Sequence, residues 1–263
     1  MPETIPSPAE LESLAVRAAR QAAEIIRVGS SGPRSIGTKS SDTDVVTQTD
    51  LDSERAVVTL LRAATPTAGF IGEESGAADR SARLQWIIDP LDGTVNFLYR
   101  VPLFAVSIAA AVDGVMVAGV VLDVPRDEVF MAYRGGGARS AGSEIVARPL
   151  AVSACDQLSA SLVTTGFSYR SALRVKQGQV AAAMLGQVRD IRCFGSAALQ
   201  MCWVADGRVD AYFERDIKIW DWAAGSVIAA EAGAHIELPC PENDDMVFAS
   251  APGVAGLIRP LVG

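Results

Sequence analysis

The sequence predicts a mixed α/β protein, α+β in its first half, and three observations carry that expectation. Apolar residues at helical spacing open the chain, strand-like runs flank Asp113-Gly114 in its middle, and strand-like and helix-like segments alternate from about residue 150. The change of pattern divides the chain into an N-terminal α+β unit, residues 1–149, and a C-terminal α/β unit, residues 150–263, with no disordered linker between them.

Each element has a local reason. Ser7-Pro8-Ala9-Glu10 reads as a helix start, with a capping serine, a first-turn proline and an acid three residues on. Leu11, Leu14, Ala15, Ala18, Ala22, Ile25 and Ile26 then share one face, and Gly29 is placed to end the helix. Residues 30–41, rich in Ser and Gly, read as an exposed loop that carries Lys39. Val45-Val46-Thr47 is a short strand, and Thr49-Asp50 opens a second helix buried through Val57, Val58, Leu60 and Leu61 and closed by Pro66. Phe70-Ile71-Gly72 and Trp86-Ile87-Ile88 are strands that deliver acids at their ends, Glu73-Glu74 and Asp89-Pro90-Leu91-Asp92. Gly93-Thr94 follows as a candidate helix opening.

Phe104 to Val112 and Val115 to Leu122 flank the hairpin signal Asp113-Gly114, and Glu128 to Tyr133 extends them into an antiparallel meander. Gly135-Gly136-Gly137 lacks a P-loop lysine and dinucleotide-fold spacing, so it reads as a sharp turn. Further on, Leu162 to Thr165 reads as a strand and Ala172 to Leu185 as a helix. Gly195-Ser196 opens a helix to Ala205 with Ser196 as cap, Val209 to Phe213 is a strand ending in Glu214, and Trp220-Asp221-Trp222 opens a helix to Ala232.

Composition narrows the function classes. The 263 residues are 49% hydrophobic, enough for a large core. With 23 Lys plus Arg against 31 Asp plus Glu, the net charge of −8 opposes sequence-independent binding to nucleic acid or anionic lipid, so no nucleic-acid partner is expected. Residues 1–11 lack the basic-then-apolar order of a secretory signal, and the apolar run from Val101 to Leu122 is broken by Asp113-Gly114, against a membrane span. Cys155, Cys193, Cys202 and Cys240 show no paired spacing and read as reduced thiols of a cytoplasmic protein. A single histidine, His235, makes a nitrogen and sulfur zinc site or a His-activated nucleophile hard to assemble, which leaves carboxylates to carry any chemistry.

Asp50, Glu73, Asp89, Asp92 and Asp221 all stand at strand ends or helix starts. Each has an ordinary reading as a turn or helix-start acid. If a fold brings them together, like-charged carboxylates require bound cations, and hard oxygen donors suit magnesium and phosphate-ester hydrolysis.

Gly72-Glu73-Glu74-Ser75, the run from Trp86 to Phe97, and Trp220-Asp221 with Ala223-Ala224-Gly225 resemble, in order and separation, the signatures of the inositol monophosphatase family, and the similarity extends from the first helix to about Leu238. The resemblance implies a layered α-β-α-β-α fold with a mostly antiparallel first sheet, a homodimer, and magnesium-dependent, lithium-sensitive hydrolysis of myo-inositol monophosphate. Residue by residue it implies that Glu73, Asp89 and the Leu91 carbonyl hold a first magnesium and Asp89, Asp92 and Asp221 a second. Glu73 helps hold a third. By the same resemblance Gly93 and Thr94 receive the phosphate, Thr94 and Asp50 activate the attacking water, and Lys39 matches a lysine near the metals. Glu214 accepts hydrogen bonds from the polyol, bordered by Gly195, Ser196 and Ala197. Relatives act instead on fructose 1,6-bisphosphate, histidinol phosphate or phosphoadenosine phosphate, and some bacterial ones associate with the transcription machinery. Tyr99 and Lys218 stand where many animal members have histidine, so the rim of the pocket is expected to differ.

Overall fold

The computed structural model describes residues 5–30, 36–38, 45–78, 81–142, 146–240 and 245–263. Helices α1 (Pro8–Ser30) and α2 (Gln48–Ala64) lie on one face of an eight-stranded sheet. Its strands are β3 (Gly69–Gly72), β4 (Gly76–Ala78), β5 (Leu84–Asp92), β6 (Ala105–Val112), β7 (Val115–Asp123), β8 (Glu128–Tyr133), β9 (Ala138–Gly142) and β10 (Arg148–Pro149), in spatial order β10-β9-β8-β7-β6-β5-β3-β4. Within this sheet, among the described residues, only β3 and β5 pair in parallel. Short β1 (Ile36–Thr38) and β2 (Val45–Thr47) pair with each other before α2.

The meander follows from its turns. Asp113 and Gly114 both adopt positive φ, 51° and 79°, the left-handed pair that a two-residue hairpin needs to match strand twist. Burial then alternates through the sheet. Trp86, Ile88, Val106, Ile108, Val120 and Leu122 pack against α1 and α2, while Ile87, Ala105, Ala109 and Val121 face the opposite layer.

That opposite layer consists of α5 (Ala197–Ala205) and α6 (Ile219–Glu231). Residues of both helices share one apolar cluster with the first sheet and with Tyr212, Val247 and Ala249 of a second sheet. Being covered on two sides, these helices are apolar nearly all round, as a central helical layer must be. The second sheet runs β12-β11-β13-β15-β14, from β11 (Leu162–Thr165), β12 (Asp190–Arg192), β13 (Ala211–Arg215), β14 (His235–Glu237) and β15 (Met246–Ser250). Its far face packs on Met184 of α4 (Ser171–Met184) and on Val254 and Ile258 of α7 (Pro252–Ile258). The layers are therefore α-β-α-β-α, as expected. The strand ending in Glu214 is shifted, with Glu214 inside β13; β1 stands within the stretch 30–41 that was read as a loop, because it pairs with β2; and β4, β9, β10, β12, β14, β15 and α7 were not anticipated.

Candidate active site

The parallel pairing of β3 with β5 begins the site. Gly72 lies beside Ile88, and the Glu73 N–H donates to the Ile88 carbonyl at 3.2 Å, so Glu73 and Asp89 leave neighbouring strands at the same edge. In a regular strand, residues three apart face opposite sides. A β-bulge between Asp89 and Asp92, opposite Ser107 and Ala105 of β6, removes that conflict. Leu91 drops into the apolar cluster beneath α1 and α2, while Asp92 turns toward α5.

Asp92 is fixed by the start of α5. Its carboxylate accepts from the Ser196 hydroxyl, from Ala197 N–H at 3.2 Å and from Ala198 N–H at 2.9 Å, where a helix N-terminus favours negative charge. Ser196 is also the expected N-cap, accepting from Leu199 N–H at 3.4 Å. Asp221 arrives on the first turn of α6, held by Lys218 N–H at 2.5 Å. The Ser107 hydroxyl donates to the Trp220 carbonyl at 3.3 Å, tying that turn to the sheet beside Asp89.

Asp50 is the helix-start acid that was expected, and it also touches Thr94. It closes the capping box of α2, accepting from Thr47 N–H at 2.9 Å and from the Thr47 hydroxyl, and its other oxygen lies 3.1 Å from Thr94 Oγ1. The Leu91 carbonyl is 3.1 Å from the same hydroxyl, so Thr94 stands between Asp50 and the β5 end. Thr94 opens α3 (Thr94–Tyr99), and Gly93 before it turns at φ 95°. A Cβ at Gly93 would lie 3.1 Å from the carbonyls of Gly195 and Leu103, so both conformation and space call for glycine.

These groups line a cleft of about 820 Å³ together with Gly195, Ser196, Ala197 and Glu214. Glu214 accepts from the Tyr212 hydroxyl at 2.9 Å. A Cβ on Gly166 would fall 2.1 Å from the Glu214 carboxylate, so Gly166 makes the room in which that acid sits. Asp50 is set behind Thr94, outside the lining; Tyr99 is 80% exposed and also outside it, whereas Lys218 is on the rim. Lys39 lies outside the described residues.

The electrostatics are those of concentrated negative charge. Burial, then repulsion from Glu73, Asp92 and Asp221, pushes the Asp89 carboxyl well above the usual carboxylate range. Burial and then Glu73 push Asp221 the same way, against the bond from Lys218 N–H. Burial lifts Asp92 to about 6 although the Ser196 and Ala198 donors oppose it, and lifts Glu214 to about 7 against the Tyr212 bond. Among the described residues no Lys or Arg forms an ion pair with Asp89, Asp92 or Asp221. Carboxylates and a backbone carbonyl, short of positive charge, are the donor chemistry that a hard divalent cation takes. Among the described residues no three His, Cys, Asp or Glu side chains form a ready-made ligand group.

Three features were missed in the sequence. Glu54, on α2, reaches across to accept from Glu74 N–H and Ser75 N–H, both at 2.9 Å, and so holds the turn that presents Glu73. Asn96 donates to the carbonyls of Leu103 (2.8 Å) and Phe194 (2.7 Å), pinning α3 to the Gly195 segment. A basic rim, Arg170 and Arg174 beside Lys218, completes the cleft; the i, i+4 spacing of the two arginines was its one visible signal.

A family model described as the inositol monophosphatase family matches residues 7–255. Inositol-1-monophosphatase SuhB of Mycobacterium tuberculosis is 42% identical over 266 residues, covering 94% of this chain and 91% of its own. Nus factor SuhB of Escherichia coli is 37% identical, covering 85% and 83%. Among solved structures, Mycobacterium tuberculosis SuhB superposes with a TM-score of 0.84 at 37% identity over 98% of this chain and 97% of its own. An inositol monophosphatase from Anabaena gives 0.84 at 30% identity, over 97% and 95%.

Proposed function

The chain belongs to the inositol monophosphatase family, and from that premise we propose that it is a magnesium-dependent phosphomonoesterase hydrolysing myo-inositol monophosphate to inositol and phosphate. One observation carries the reading: Glu73, Asp89, Asp92 and Asp221 line one cleft with Thr94, which is backed by Asp50.

Glu73, Asp89, the Leu91 carbonyl, Asp92 and Asp221 would hold the two or three magnesium ions. When bound, magnesium neutralises phosphoryl charge and lowers the pKa of water. The chain supplies the rest. Thr94 Oγ1, which lies within donating distance of Asp50, accepts a proton from the attacking water and relays its own to that carboxylate. Gly93 and Thr94 N–H groups receive phosphoryl oxygens at the left-handed turn. Ser196 and the α5 N-terminus keep Asp92 oriented, and Glu54 does the same for the Glu73 turn. Glu214 accepts hydrogen bonds from the polyol hydroxyls, bordered by Gly195, Ser196 and Ala197. The protein acts as a cytoplasmic homodimer, a state that sedimentation velocity measures directly.

Phosphate release from inositol 1-phosphate, fructose 1,6-bisphosphate, histidinol phosphate and phosphoadenosine phosphate, with and without magnesium, tests the reading. Magnesium-dependent turnover led by the inositol ester is expected. Negligible turnover of that ester beside rapid turnover of another would replace the substrate with a sugar phosphate or bisphosphate of the same chemistry.

A second reading, a transcription-associated binding protein, is favoured by the relatives named Nus factor SuhB. Lack of magnesium-dependent activity on the whole panel, together with co-purification with RNA polymerase or RNA, would make it the better account.

A further inference from the structure

Beneath the exposed cations of the rim, two loops leave the neighbouring parallel strands β11 and β13 at the same end, and both line the cleft. Residues 166–170 form the first and contain Gly166, whose missing Cβ leaves room for the Glu214 carboxylate. Residues 216–218 form the second, between Glu214 on β13 and Asp221 on α6. Asp216 opens this loop at φ 69°, a left-handed conformation that glycine adopts freely and an L side chain enters only at a cost. An aspartate kept there needs a reason, and its carboxylate gives one.

That carboxylate ties the second loop to the first. It accepts from the Ser168 hydroxyl and takes the Arg170 guanidinium side-on, from Nε at 2.9 Å and from Nη2 at 2.6 Å. Burial opposes its charge, but the bonds from Arg170 and Ser168 and the positive charges of Arg170 and Lys218 outweigh burial and hold Asp216 below the usual carboxylate range. Ser168 is buried and bonded at every polar group. Its N–H donates to Gln177 Oε1 at 2.8 Å, its carbonyl accepts from Arg174 Nε at 2.8 Å, and its hydroxyl oxygen accepts from Arg170 N–H at 3.0 Å. Gln177, buried on α4, returns to β13, its Nε2 lying 3.4 Å from the Arg215 carbonyl. The circuit therefore grips Arg215 and Asp216, the two residues after Glu214, and joins them to the loop that begins with Gly166. None of its bonds reaches Glu73, Asp89, Asp92 or Asp221.

We propose that Asp216 is a positioning residue for substrate choice: through Ser168 and Arg170 it fixes the 166–170 loop against the end of β13, so that Glu214 meets the polyol hydroxyls at one place, without acting on the acid floor. The proposal rests on the phosphatase reading, in which Glu214 receives the polyol, and deepens it by naming what holds that acid. Loss of the tie penalises esters whose leaving group presents hydroxyls to Glu214. It spares an ester that presents none.

The test measures kcat and KM for inositol 1-phosphate and for p-nitrophenyl phosphate, whose leaving group has no polyol, in the full-length, magnesium-loaded protein and its variants. Asp216→Gly keeps the left-handed turn and removes the carboxylate. It is expected to raise KM for inositol 1-phosphate about tenfold, the scale of one lost charge-assisted hydrogen bond, with kcat changed less than about twofold. Its kcat/KM for p-nitrophenyl phosphate should match that of the unsubstituted protein. Asp216→Asn, which tolerates the turn and keeps an oxygen for Ser168, should show a smaller rise. Because Asp216 acts through Glu214, adding Asp216→Gly to Glu214→Gln should change KM no further. An unchanged KM in Asp216→Gly, an equal loss on both esters, or a full further loss in the double variant would overturn the proposal. If inositol 1-phosphate is not turned over, the substrate reading falls, and calorimetric binding of that ester to the magnesium-loaded protein decides the tie. Binding about tenfold weaker in Asp216→Gly supports it, and equal binding, or none to the unsubstituted protein, overturns it.

Discussion

The floor and the rim of the cleft are built on opposite principles. On the floor, acids come from four separate elements, and nearly every one is held by backbone donors: Asp89 by Leu91 N–H at 3.0 Å, Asp92 by the start of α5, and Asp50 and Asp221 by the capping positions of their own helices. On the rim, the groups are long, exposed cations, Arg174 tied through one bond to the Ser168 carbonyl and Arg170 through two to Asp216. A rigid, charge-dense floor suits chemistry that must not vary, and an adjustable rim suits the choice of substrate.

Substitutions can break that comparison, beginning at the floor. Asp89→Asn should lower kcat/KM on the order of a thousandfold, since several kcal/mol of charge stabilisation depend on the cation it holds. Its melting temperature should not fall, because the Leu91 N–H keeps an acceptor and repulsion from Glu73, Asp92 and Asp221 is relieved. Thr94→Val, which removes the relay to Asp50 but keeps the shape, should lower kcat about a hundredfold with a much smaller effect on KM in steady-state assays. Ser196→Ala acts one step back. It should weaken magnesium binding about tenfold in a titration of activity by freeing Asp92, and lower stability by about 1 kcal/mol through the lost cap.

Glu214, between floor and rim, gives the smallest effect and one that depends on pH. Its folded pKa of about 7 stands above its ordinary value of 4.5, so the folded protein binds the extra proton and this group stabilises the fold most at low pH. That contribution is lost as pH rises from about 4.5 through 7. The melting temperature of metal-free Glu214→Gln should therefore gain on the unsubstituted protein over that window, by roughly a few degrees, and hold level above it. A constant difference across the window would show that the site does not strain this carboxyl.

The same contrast explains what could be read in advance. The periodicity of α1, the Asp113-Gly114 turn and the acids after Ile71 and Ile88 are local, and they foretold the first helix, the hairpin and the position of each floor acid along the chain. Nothing local announces the bulge that turns Asp89 and Asp92 to the same side, because it is a mismatch in pairing with β6. The three-residue strands β12 and β14 escaped for a similar reason, their pairing being decided by distant partners. Glu54 and Arg174 carry no local signal of their own, and only the tertiary structure brings one to the Glu73 turn and the other to the cleft. Conversely, Asp50 shows that a helix-start acid can also stand within hydrogen-bond distance of the Thr94 hydroxyl.

The central claim, that the acid floor works through bound divalent cations on a phosphate ester, is tested most directly by phosphate release from inositol 1-phosphate as magnesium is raised from zero, with Asp89→Asn run alongside. The account predicts no release without magnesium, a saturable rise on adding it, and a nearly flat response in the variant. Release that ignores magnesium, or an Asp89→Asn protein that matches the unsubstituted one, would contradict it.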